Sequence, residues 1–466
     1  MTNGQLGASA VTSPPAEPTD LLRGVPVHKR ALSVLACSAV MALSVTACGS
    51  GGSGGSGSAA SAGTSGAASA AGKTITVWMM DGDLSTKATD AINAAFEQAT
   101  GAKVKVQIQE WDSINTKIST ALAQDNPPDV LEIGNTDVPL FAANGGLSDI
   151  TADRADLSAG QTWLSGLADP ATVDGKLYAV PLFAGNRAVI YNKTVWSKAG
   201  VTAPPTTLAE FTADLDKVKA ADHAADFSPF YFPGQYWYGA LQFVWDAGGQ
   251  LATQSGGKWT GALESPAAQQ GLQAWKAFEN AYSSPASRNV DTTAPDQRAL
   301  FAGGKAATIL DTSLNTVLKD KPSLKGELGT FPFPSATAGR TQPVFLGGSD
   351  LAIATKSPNQ ALALAYLKAA ASQTVQTGAI VGIDAWTPVS TQLIDSTKSS
   401  LPPTSAAFFE AAKTSVGTPA TPGWATIESD KSINTFFADI ATGRKTTAQA
   451  AKDFDAHLDQ ALNAAQ

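Results

Sequence analysis

The chain has 466 residues, 43% of them hydrophobic and 15% charged, and a formal net charge of −8. That length allows two or three domains with a large core. The acidic balance argues against a nucleic-acid binder, which would show a basic face.

Arg23, Lys29 and Arg30 precede an uncharged apolar run, Ala31–Ala47. A basic flank, an apolar run and small residues before a cut form an export signal. The run is shorter than the roughly 20 residues of a membrane-spanning helix. "VTAC", Val45–Cys48, resembles the lipobox of bacterial lipoproteins, which implies cleavage before Cys48 and lipidation of that cysteine. The domain plan therefore starts with a signal peptide at 1–47, followed by a lipid anchor and Gly/Ser/Ala tether at 48–72. Such a tether cannot bury enough apolar surface to fold, and its mean span is roughly 25–30 Å. Cys37 leaves with the signal. Cys48 is the only other cysteine, so the folded part has neither a disulfide nor a thiolate metal site.

The folded body opens on a buried strand, Ile75–Met79. Ala88, Ile92, Phe96 and Ala99 then share one helical face, and Gly101 supplies the stop. In "KVKVQIQ", Val104, Val106 and Ile108 alternate with polar residues as in a half-buried strand. Ile114, Ile118 and Leu122 form a second helical stripe, "NPPD" breaks it, and Val130–Ile133 is a third strand. This β-α-β-α-β order with short connections predicts a parallel sheet covered by helices. Ligands of such sheets bind at the carboxyl ends of the strands, which here carry "MMDGD" and "GNTD". Further on, Thr207 and Glu210 have capping-box spacing ahead of the stripe Leu208, Phe211, Leu215 and Val218. Ala451, Phe454, Leu458 and Leu462 form a last stripe, with Thr446 or Thr447 as its cap.

Several segments arrive in a familiar order: "PPDV", "GKLYAVP", "IYNKTVWSKAG", "PPTT", "FAGGKAATI", "GGSDLAIATKSPNQALALAYLKAA" and "TPVS". Together they resemble the extracellular solute-binding proteins of ABC importers, in the carbohydrate-binding branch that includes maltose-binding protein. The resemblance covers about Lys73 to Gln466. It implies an α/β, two-lobed periplasmic-binding-protein-like fold with a ligand cleft between lobes joined by a hinge. By those motifs, lobe 1 is 73–183 plus 335–371, and lobe 2 is 184–334 plus 372–466. "TFPFPS", Thr330–Ser335, fits a hinge.

A site for a neutral polyol needs aromatic faces to cover C–H surfaces and planar polar groups to grip hydroxyls. The resemblance places contacts at Asp81 after the first strand, with Asp83 less favoured, and at Asn135, Thr136 and Asp137 after the third. Asn186 lies at the lip. Gly185 and Asn186 stand where a maltose-branch relative has a carboxylate, which argues against maltose itself. Arg187 could fork onto a hydroxyl pair or an acidic sugar, or serve as a structural partner for an aspartate across the cleft, which is the preferred reading. Tyr236 and Trp237 are the stacking candidates, with Tyr238, Phe243 and Trp245 facing the core. Asp311 and Ser313 sit where the family has a contact. Gly347 and Gly348 would let backbone approach the ligand, with Ser349 and Asp350 as polar tips. Asp384, Trp386 and Trp424 complete the set.

The resulting reading is a binding subunit with no catalytic residues, metal or cofactor. Its partners would be a carbohydrate ligand, ABC permease subunits in the membrane and a separate cytoplasmic ATPase. Nucleic acid is not among them, and a monomer is expected. A rival is an exported glycoside hydrolase, which needs two carboxylates roughly 5–10 Å apart. A third reading is a ligand-binding adhesin or sensor not coupled to transport. After removal of the signal, only His223 and His457 remain, with no zinc-protease pattern.

Overall fold

A computed structural model describes residues 70–464. The export signal, Cys48 and the tether as far as residue 69 lie outside the described residues. Strand β1 (Thr74–Met80) buries Ile75, Val77 and Met79 on one face. Helix α1 (Thr86–Thr100) is capped by Ser85, whose hydroxyl accepts from the Ala88 amide, and it stops at Gly101, φ 74°. Ala88, Ile92 and Phe96 are buried as the stripe requires, whereas Ala99 is exposed in the fraying last turn. β2 (Lys103–Gln109), α2 (Ile114–Ala123) and β3 (Val130–Gly134) follow. β2 is a sheet edge, and its Ile108 is 58% exposed instead of half-buried.

β1 pairs in parallel with both β2 and β3, as the local pattern predicts. The sheet does not end there. β4 (Ala179–Gly185) and β8 (Gly347–Ile353) add to it in the order β2-β1-β3-β8-β4, with β8 antiparallel to both of its neighbours. The N-terminal end of β8 therefore meets the carboxyl end of β3. A second sheet joins β5 (Ala188–Asn192), β6 (Thr308–Asp311) and β7 (Leu328–Phe331), all antiparallel, in the order β6-β5-β7.

Each sheet has its own core. Ile75, Phe96, Val130, Ile133, Phe141 and Tyr366 pack under the first. Trp196, Phe211, Phe230, Trp275, Phe333 and Phe437 pack under the second. The helix Leu208–Ala221 docks into the second core by Phe211, Leu215 and Val218, and the Thr207–Glu210 capping box is formed in both directions. The last helix, Thr447–Ala461, is capped by Thr446. A third cluster, with Leu164, Ala184, Ala188, Leu346, Val389 and Phe409, gathers where the chain passes from one sheet to the other. Backbone bonds from Leu164 to Val389 (2.9 Å), Ala184 to Thr387 (2.9 Å) and Leu346 to Val416 (3.0 Å) tie this region together.

The crossings fall later than the motif-based boundaries at 335 and 371. Ser335–Phe345 stays with the second core: the Ala336 amide donates to Asp246, Gln342 to the Phe333 carbonyl, and Phe345 packs on Trp237. The chain joins the first sheet only at Gly347. Val375, Ala379 and Ile380 still pack in the first core. Apolar spacing shows that these residues are buried but not in which core. No described helix is long and apolar enough to cross a membrane.

Candidate functional site

The loops at the carboxyl ends of β1, β2 and β3 and the start of β8 form one wall of a cleft of about 920 Å³. The second wall comes from Tyr236–Tyr238, Asp291–Thr293 and the segment Glu428–Asn434. Arg187, between β4 and β5, and Trp386 stand near the crossings and also line the cleft.

On the first wall, Asp83 lines the cleft. Its Oδ2 accepts from the Ser349 hydroxyl at 3.1 Å and its Oδ1 from the Trp111 indole at 3.4 Å. Its carbonyl accepts from the Trp386 indole at 2.9 Å. Burial pushes its carboxyl up. Beneath it lies Glu132 of β3, fully buried, accepting from the Met80 amide at 2.8 Å. Burial first, and then the charge of Asp83, raise the Glu132 carboxyl well above its ordinary value. Trp111 is 39% exposed at the mouth, its ring lying along Gly134. Asn115 donates to Asp137 Oδ1 at 2.9 Å.

The two walls meet at a pair of carboxyls. The Thr136 hydroxyl, from the first, donates to Glu428 Oε2, from the second, at 2.9 Å. Burial raises Asp137 to about 6, partly offset by the Asn115 bond. Burial, and then the charge of Asp137, raises Glu428 to about 8. Two acids that share a poorly hydrated space cannot both ionise cheaply.

Of the residues named from sequence, the cleft gathers Asn135, Thr136, Asp137, Tyr236, Trp237, Gly347, Gly348, Ser349 and Trp386. Several of these line it without offering a free group. Asn135 is buried and spends its amide on the Gly166 and Leu346 carbonyls. Tyr236 is a strut, accepting from Arg187 Nε at 2.7 Å and donating to the Leu310 carbonyl at 3.1 Å. Trp237 is only 3% exposed and packs between Phe345 and Trp424. Its neighbour Tyr238, half-buried and packed against the same core, stacks on it at 3.8 Å and shares the cleft lining. Gly348 serves strand packing: a Cβ there would meet the Phe183 carbonyl at 2.2 Å. Asp350 is fully buried, with neither carboxyl oxygen hydrogen-bonded, and is no polar tip.

Six others are elsewhere. Asp81 is exposed outside the cleft lining, two residues short of Asp83. Asn186 is buried at the crossing, donating to the Phe408 carbonyl and accepting from Thr387. Asp311 forms a two-pronged ion pair with Arg298, both bonds 2.9 Å, and accepts from Gln297. Ser313 caps the helix Leu314–Asp320. Asp384 accepts from the Ser85 amide at 2.8 Å. Trp424 is wholly buried in the second core. Arg187 has no aspartate partner among the described residues; it lies over the Tyr238 ring at 4.3 Å. Trp111 was legible, since it follows a strand's carboxyl end. Glu428, Lys431 and Asn434 sit at a helix–helix junction with no motif to mark them.

Two α/β units carrying separate cores, linked by a stapled crossing region and facing each other across a polar and aromatic cleft, define a two-lobed solute-binding protein. The profile of the bacterial extracellular solute-binding proteins matches residues 82–377. The diacetylchitobiose binding protein DasA of Streptomyces coelicolor is 36% identical over 437 residues, 93% of this chain and 99% of DasA. The chain belongs to that solute-binding family. Among solved structures, the GacH receptor of Streptomyces glaucescens, studied unliganded and with acarbose, superposes with a TM-score of 0.70 at 20% identity, over 84% of this chain and 99% of GacH. An ABC transporter solute-binding protein of Thermotoga lettingae bound with α-D-tagatose gives 0.69 at 23% identity, over 84% of this chain and 100% of that one. Both likenesses concern the fold.

Proposed function

We propose that this chain captures a short, neutral, N-acetylated sugar outside the cell and hands it, chemically unaltered, to an ABC permease. The observation that carries the reading is the division of the cleft between two separately cored lobes. Trp111, Asp83 and Asn115 lie on one side, and Tyr238, Glu428, Lys431 and Asn434 on the other. A ligand touching both sides favours the closed arrangement by its differential affinity for it. The likeness to DasA over nearly the whole chain supports a disaccharide of N-acetylated units as cargo. Titration calorimetry with N,N′-diacetylchitobiose is expected to give saturable binding, with maltose weaker; no heat with the acetylated sugar ends this reading.

A second reading has a specific observation behind it. Asp137 and Glu428 form an acid pair in a sugar-sized cleft, one of them still protonated at neutral pH, which is the equipment of a glycosidase. The binding reading expects the sugar to be recovered whole after prolonged incubation; a cleaved product transfers the pair to catalysis.

The delivery step implies permease subunits and a separate ATPase. The lipobox-like Val45–Cys48 implies that the mature protein is held at the outer face of the membrane by lipid on Cys48. Cys48→Ser is expected to release most of the protein into the medium, measured by fractionation and immunoblot. Retention of the variant with membranes as in wild type would refute the anchor.

A further inference from the structure

Arg187 is held without being satisfied. Its Nε donates to the Tyr236 hydroxyl at 2.7 Å, and that hydroxyl is itself fixed on the Leu310 carbonyl. Its guanidinium carbon lies 4.3 Å from the Tyr238 ring centre, 5.5 Å from Tyr236 and 5.6 Å from Phe345. Aromatic faces on this scale attract and orient a guanidinium. Its Nη1 is nevertheless buried with no hydrogen-bond partner, and among the described residues no carboxylate pairs with it. A buried charged donor left unpaired is costly, and this one stands in the wall of the cleft. The missing acceptor is therefore expected from the ligand.

The chemistry of that acceptor is constrained. A guanidinium only donates, so a group that only accepts suits it better than a hydroxyl. A sugar carboxylate would accept, but Asp137 and Asp291 line the same cleft, and their charges oppose an anionic guest. A neutral carbonyl oxygen meets both conditions. The half-buried Tyr238 ring, backed by Phe345 at 5.0 Å, lies next to the guanidinium in the cleft lining, which suits a methyl group attached to that carbonyl.

We propose that Arg187 is a specificity-determining residue that donates from its terminal nitrogens to the acetamido carbonyl of the bound sugar, with the acetamido methyl against Tyr238. This rests on the N-acetylated-sugar reading above and adds the residue that enforces it.

The test compares two ligands on the purified chain by calorimetry: N,N′-diacetylchitobiose, and cellobiose, which carries hydroxyls in place of the acetamido groups. Wild type is expected to prefer the acetylated sugar by about tenfold or more, and Arg187→Met to shrink that ratio to within about threefold. Because the readout is a ratio within one protein, a general loss of affinity does not imitate it. Arg187→Lys, which keeps a donor, is expected to retain part of the preference and serves if the methionine variant does not fold. An unchanged ratio in Arg187→Met, or in Arg187→Lys if only that variant folds, overturns the role of Arg187 and leaves the sugar reading standing. Wild type that binds cellobiose as tightly as the acetylated sugar also overturns it. Wild type that binds neither sugar overturns both.

Discussion

Replacing Trp111 with alanine is expected to weaken sugar binding about thirtyfold while leaving the melting temperature near that of wild type. Among the described residues Trp111 is one of two exposed large apolar side chains, 39% exposed, and it lines the cleft. One side of its ring lies along Gly134, and its indole N–H is steered by Asp83. The other side is open to a guest. Covering roughly 80 Å² of apolar surface at about 25 cal/mol per Å² contributes about 2 kcal/mol, which is about thirtyfold in affinity. Because the ring is not part of either core, its loss leaves no cavity. Trp111→Phe should keep much of the affinity. Calorimetry with N,N′-diacetylchitobiose, alongside a melting curve, checks both parts. Wild-type affinity in the alanine variant would remove Trp111 from the site.

Affinity is expected to fall by about tenfold as the pH rises from 7 to 9, and this loss should be absent in Glu428→Gln. In the arrangement described here burial holds Asp137 at about 6 and Glu428 at about 8. When the lobes part, the Thr136–Glu428 bond breaks and both acids meet water, where carboxyls titrate near 4. The sign follows from proton counting. The closed form holds protons that the open form releases, so closure takes up protons and is favoured at low pH. That advantage is complete below the open-state values and is lost as pH passes first through about 6, for Asp137, and then through about 8, for Glu428. The window from 7 to 9 isolates Glu428, because Asp137 has by then largely titrated. Binding measured at several pH values in both proteins decides it, and a flat wild-type profile would sink the coupling.

The ease of reading differed sharply along the chain. β1, α1 and α2 were legible because each buries a periodic face against near neighbours in sequence, and β2 and β3 from an alternating pattern and a short apolar run. The caps at Thr207 and Thr446 are likewise local, since a side chain reaches an amide within a few residues. β8 was harder, because its partners β3 and β4 lie far back in the chain and its antiparallel direction leaves no local trace. Site residues failed where a small angular or sequential offset decides the role. Asp81 and Asp83 are two residues apart in one turn, yet only Asp83 reaches Ser349 and Trp111. Trp237 and Tyr238 are adjacent and pack ring on ring at 3.8 Å, yet Trp237 is 3% exposed and Tyr238 only half-buried.

By itself the sequence determined the acidic, cysteine-poor folded body, the alternation of elements in the first sheet, the loops at its carboxyl ends as the cleft side, and the likeness to solute-binding proteins. These rest on contacts between near neighbours in the chain, or on the order of segments. Only the tertiary structure decided which polar groups are spent on the protein itself. Asn186, Asp311 and Asp384 are satisfied by distant backbone, an arginine and a facing loop, whereas Arg187 is left wanting an acceptor. The same holds for Glu428, which has a partner only because two lobes bring Thr136 and Asp137 to it across nearly three hundred residues of chain. Whether a side chain is free for a ligand depends on what else lies within a few ångströms, and proximity between remote segments is a property of the folded chain.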